Sequence, residues 1–168
     1  MKHTFLIFVF MFCAFVGCSQ EVELVRIMTD GSTVITKYSV DTETLVIYDS
    51  ADNGYKTKNI QGLEGFRKLN ALEFQNLAFL ENYDFLRDLK RCTQLYICTG
   101  PFFDFSILEN VTDLEYIEFS GYISDLEVLK LKENGLDVSS LKNLNRIAIY
   151  PMNVKIDFDI EIKYFTKK

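Results

Sequence analysis

The sequence predicts an α/β solenoid. It would be a short arc of stacked repeats with a parallel β-sheet, short helical or 3-10 outer segments, a β-hairpin cap at the N-terminal end and an edge strand at the C-terminal end. Three observations carry this expectation. Between residues 63 and 149 an apolar pattern of three intervals of three residues and then one of two recurs four times. Asp30-Gly31, a hairpin turn signal, separates two strand-like runs. Near the C-terminus, Val154, Ile156, Phe158, Ile160, Ile162 and Tyr164 alternate strictly with charged residues, the signature of an amphipathic strand. The chain has 168 residues, room for one domain and too few for two cores of ordinary size.

The first 17 residues have the form of a secretory signal: Lys2, the unbroken apolar run Phe5 to Val16, then the small residue Gly17. A membrane-spanning helix needs about 20 apolar residues. This run is shorter, so it reads as a leader that is removed. Phe15-Val16-Gly17-Cys18 resembles the lipobox of bacterial lipoproteins. That resemblance implies that Cys18 is lipidated, that residues 1–17 are a lipoprotein signal peptide, and that the protein is lipid-anchored in the bacterial cell envelope, at the outer membrane or cell surface. Ordinary cleavage near Ser19, releasing a secreted protein, is the alternative.

His3, the only histidine, lies in the leader. Ser-His-Asp and Cys-His catalysis and imidazole metal sites therefore have no histidine to draw on. A net charge of −6 offers no basic excess for a phosphate backbone, so no nucleic-acid partner is expected. No cofactor-binding motif, no metal site and no catalytic set is found, and the chain reads as non-enzymatic.

Residues 18–62 read as an N-terminal β cap with a preliminary strand. Val22 to Met28 and Thr33 to Val40 form the hairpin, and Leu45 to Tyr48 join the parallel sheet ahead of the repeats. Residues 63–150 hold the four units. These are Leu63, Phe66, Leu69, Leu72, Phe74; Leu86, Leu89, Cys92, Leu95, Ile97; Leu108, Val111, Leu114, Ile117, Phe119; and Val138, Leu141, Leu144, Ile147, Ile149. Intervals of three place side chains on one side of a tight helical turn, and an interval of two places both residues on one strand face. Unit starts at 63, 86, 108 and 138 leave a longer last period, read as an inserted turn or loop. Residues 151–168 read as a C-terminal capping strand and tail.

The stretch Leu136-Asp137-Val138-Ser139-Ser140-Leu141-Lys142-Asn143-Leu144-Asn145-Arg146-Ile147-Ala148-Ile149 resembles one turn of a bacterial, internalin-like leucine-rich repeat, and Asp104 to Leu108 echoes its opening. Such repeats commonly bind proteins on the concave face of their sheet. Here that face would carry the residues between and beside the core positions: Tyr48, Glu73, Tyr96, Tyr116, Glu118, Arg146 and Tyr150 are the candidate ligand-binding residues. Asp84, Asp104, Asp125 and Asp137 recur at unit boundaries, where turn-forming or capping roles suit them. Cys92 and Cys98 are expected to stay free, since one takes a core position and the other faces away from it. The function expected is an envelope lipoprotein that binds a protein ligand. The alternative is a periplasmic structural or assembly component that holds another envelope protein.

Overall fold

The computed structural model describes residues 20–52, 54–89, 91–152 and 162–163. The leader and Cys18 lie outside the described residues, as do 153–161 and 164–168, which hold most of the alternating C-terminal run.

Strands β1 (Glu21–Met28) and β2 (Thr33–Ser39) pair antiparallel. The Asp30 carboxylate closes their turn by accepting from the Ser32 amide at 3.0 Å and the Ser32 hydroxyl at 2.7 Å. On its other side β1 pairs antiparallel with β4 (Thr57–Gln61), giving a three-stranded sheet in the order β2-β1-β4. Ile60 is the one apolar residue of β4. That is too little pattern to read as a strand, and only pairing with β1 makes it one.

A second sheet is parallel and five-stranded. It takes β3 (Thr44–Tyr48), β5 (Ala71–Gln75), β6 (Gln94–Pro101), β7 (Tyr116–Tyr122) and β9 (Arg146–Pro151) in chain order. Leu45, Leu72, Leu95, Ile117 and Ile147 are direct partners across it, and Ile47, Phe74, Ile97, Phe119 and Ile149 form the next inward row. The first four members of each row are buried; Ile147 and Ile149, on the outermost strand, are half-buried. Each strand after β3 is entered in the same way. The carbonyl of Glu43 accepts the amides of Asn70 and Ala71, that of Asn70 those of Thr93 and Gln94, that of Thr93 those of Glu115 and Tyr116, and that of Glu115 those of Asn145 and Arg146.

The intervals of three become backbone bonds of 3-10 type. Amides of Leu86, Leu89, Val111, Leu114, Leu141 and Leu144 each donate to the carbonyl three residues earlier. Side chains three apart then eclipse and point into the core. Short 3-10 helices occupy Leu63–Gly65, Asp84–Asp88 and Phe105–Leu108. Of the twenty repeat positions all but Phe66, Ile147 and Ile149 are buried. Between the turns and the sheet runs an aromatic seam, in which Tyr83 stacks on Phe103 at 4.4 Å, Phe103 meets Phe105 at 4.8 Å, and Phe74 meets Phe85 edge-on at 5.7 Å.

The expectation of an α/β solenoid is corrected by this architecture. The chain builds an antiparallel three-stranded sheet and a parallel five-stranded sheet, with a single α-helix among the described residues. The physical reason lies where the repeat stops. Residues 21–61 satisfy most of their backbone groups against one another through β1, β2 and β4, apart from β3, which joins the parallel sheet. The long last period is no simple loop but helix α1 (Asp125–Asn134), started by a capping box between Ser124 and Glu127. The C-terminal capping strand expected over residues 151–168 lies mostly outside the described residues. Its described part, β10 (Ile162–Lys163), pairs parallel with β8 (Leu136–Asp137) in a separate two-stranded sheet.

Candidate functional site

Alternation along the parallel strands turns every second side chain away from the core. On the outward face three rows cross the sheet in register. They are Thr44, Ala71, Gln94, Tyr116, Arg146; then Val46, Glu73, Tyr96, Glu118, Ala148; then Tyr48, Gln75, Cys98, Ser120, Tyr150.

Five of the seven candidate ligand-binding residues form one cluster. The Tyr96 and Tyr116 rings lie 5.4 Å apart at 57°, and the Arg146 guanidinium carbon is 5.4 Å from the centre of the Tyr116 ring. The Tyr116 hydroxyl donates to Glu118 at 2.6 Å, the Tyr96 hydroxyl to Gln94 at 3.0 Å, and the Gln75 amide to Glu73 at 2.6 Å. These bonds hold the tyrosines against the sheet, and both rings are half-buried. The Tyr116 phenol is pushed up to about 12, because its proton is shared with the Glu118 carboxylate.

Tyr48 and Tyr150 stand apart, at opposite ends of the third row, 60% and 55% exposed. Between them Gln75, Cys98 and Ser120 are shorter, so the row is low in the middle and tall at both ends. Cys98 is half-buried and free, and its thiol is raised by burial, then by the charges of Glu73 and Glu118. Cys92 is also free but lies in the core, where burial pushes its thiol up to about 11.

Two of the four boundary aspartates accept backbone amides. Asp104 accepts from the Ser106 amide at 2.9 Å and Asp137 from the Ser139 amide at 2.9 Å. Asp125 sits in the first turn of α1, and Asp84 meets Arg87 at 3.3 Å. Among the described residues no group of three or more His, Cys, Asp or Glu is placed to hold a metal ion. No helix among them is long and apolar enough to cross a membrane.

Gln94 and Gln75, which orient Tyr96 and Glu73, fall on the face expected from the sequence but were not among the candidate binding residues. Their two-residue offset from those partners on one strand was the available signal. A set of exposed apolar residues was missed altogether: Phe79 in a connection, Tyr122 at the end of β7, Met152 just past β9, and Leu126 and Leu129 on α1. They carry no periodic signal, because they sit in connections, at a strand end and on the outer side of a helix whose orientation the sequence does not reveal. No family model, curated protein or solved structure matches the chain.

Proposed function

We propose that the chain is a non-enzymatic binding module of the bacterial cell envelope. It is tethered by lipid on Cys18 and takes a protein ligand on the outward face of its five-stranded sheet. One observation carries this reading: Tyr96 and Tyr116, side by side and held by Gln94 and Glu118, form a rigid amphipathic patch bordered by Glu73 and Arg146. Aromatic side chains held in place lose little freedom on binding and supply large contact area, the character of binding hot spots. The protein-binding habit of the internalin-like repeats that residues 136–149 resemble favours the same face.

The described chain begins beside the parallel sheet. Two residues beyond Cys18, the Gln20 carbonyl accepts from the Val40 amide at 3.0 Å, and Val40 leads into β3. Two residues span at most about 7 Å. A lipid on Cys18 would attach within that reach of this edge of the parallel strands.

Pull-down from envelope extracts with the full chain, read by mass spectrometry, tests the face. A ligand retained by the wild type is expected to be lost by the Tyr96→Ala, Tyr116→Ala double variant; equal retention moves the site off this face. Cys18→Ser is expected to shift the protein out of the membrane fraction, and continued membrane residence overturns the tether. Protease shaving of intact cells then separates surface display from the periplasmic holding role.

A further inference from the structure

We infer that the outward face takes a basic segment of a partner protein, one lysine or arginine side chain lying on the Tyr96 ring between Glu73 and Glu118. This rests on the sheet face being the binding surface and adds the chemistry of its partner.

In the middle row Glu73 and Glu118 are the immediate neighbours of Tyr96, one on each side. With strands about 4.8 Å apart, their backbones flank that of Tyr96 at about 10 Å from one another. Among the described residues no Lys or Arg pairs with either carboxylate, since the ion pairs formed all lie elsewhere. Their hydrogen-bond donors are the neutral Gln75 amide and Tyr116 hydroxyl, which orient the charges without neutralising them. Both carboxylates act on the Cys98 thiol, the residue that follows Tyr96 by two, so the negative field converges on the centre of the sheet.

The chain already shows how a cation sits on this surface. Arg146, the direct neighbour of Tyr116 in the first row, places its guanidinium over that ring. Tyr96 has the same kind of ring with a carboxylate on each side and no such cation among the described residues. A net charge of −6 over the chain adds long-range attraction for a basic partner.

The occupant is a polypeptide and not a small free cation. An open strand face covers a bound ion on one side only and leaves it hydrated, whereas a segment brings neighbouring groups that exclude water. Tyr48 and Tyr150 end the adjoining row, separated by four strand spacings, about 19 Å. The short Gln75, Cys98 and Ser120 side chains between them leave a trough, and an α-helix with its side chains is about 10–12 Å across.

Selection of random displayed peptides against the full chain in mild detergent tests this. Expected are peptides rich in Lys or Arg that lose about tenfold or more in affinity when those residues become Gln, and that bind more weakly as salt rises. Glu73→Gln with Glu118→Gln should remove the preference, and Glu73→Lys with Glu118→Lys should turn it toward acidic peptides. Basic peptides bound equally well by both double variants overturn the inference. Peptides with no basic excess whose binding is lost in Tyr48→Ala, Tyr150→Ala overturn the cation seat and leave the face as a binding surface. Peptides indifferent to every one of these substitutions overturn both.

Discussion

Asp49 and Thr57 are the buried polar pair that joins the two sheets. Asp49 ends the approach from β3 and Thr57 opens β4; the carboxylate accepts from the Thr57 amide and from the Thr57 hydroxyl, each at 2.7 Å. Arg26 on β1 reaches the same carboxylate at 3.5 Å and the Tyr48 carbonyl at 3.0 Å. One side chain thus serves strands of both sheets. Asp49→Ala leaves the Thr57 amide and hydroxyl buried without an acceptor and is expected to cost about 2–4 kcal/mol. Denaturant unfolding of the variant measures it, and a loss under about 1 kcal/mol would show that the junction is held by other contacts.

Tyr83 presents the opposite case. Its hydroxyl is buried with no hydrogen-bond partner among the described residues and lies where a Cβ on Gly100 would come within 2.4 Å, so glycine is what lets the ring in. Tyr83→Phe removes an unsatisfied polar atom and is expected to be neutral or stabilising by about 1 kcal/mol. Burial also pushes the phenol above its ordinary value. A group raised in the folded state contributes stability that is complete below its unfolded value, about 10, and is lost as pH climbs through the folded value. The wild type should therefore lose stability above about pH 10 more steeply than Tyr83→Phe. Parallel slopes in thermal melts at alkaline pH would contradict this.

Tyr116 is held protonated first by its hydrogen bond to Glu118. Glu118→Gln replaces the charged acceptor with a neutral one and should bring the Tyr116 value down from about 12 toward 10. Ring-carbon NMR of Tyr116 across the alkaline range reads the midpoint directly. The contribution of this contact to folding is present below about pH 10 and disappears as pH rises toward 12, the window between the unfolded and folded values.

The two free thiols among the described residues should differ in reactivity. Cys98 is raised by burial and by Glu73 and Glu118, so at mildly alkaline pH it should alkylate more slowly than an unhindered cysteine. Glu73→Gln with Glu118→Gln should speed it severalfold. Cys92, buried and held near 11, should react only as the domain unfolds. Mass spectrometry of partially alkylated protein distinguishes them, and early labelling of Cys92 would place it outside the core.

Much of the parallel sheet is legible in the sequence. Leu72, Leu95 and Ile117 were recognisable as one row because the interval of two that ends each unit reports a strand face directly, and the intervals of three report the tight turns that deliver it. The tyrosine cluster followed from the same alternation. The sheet junction was not legible. Asp49 and Thr57 are eight positions apart in a stretch with no periodicity, and β4 becomes a strand only because β1 offers it an edge.

Local spacing therefore settled which side chains point inward, since that depends on backbone geometry repeated over a few residues. The number of sheets, the place of α1 between β7 and β9, and the orientation of Gln94, Glu118 and Arg146 around the two tyrosines were settled only by contacts between distant segments. Such contacts depend on which unpaired backbone edges and buried polar groups find partners in space, and no short window of sequence carries that information.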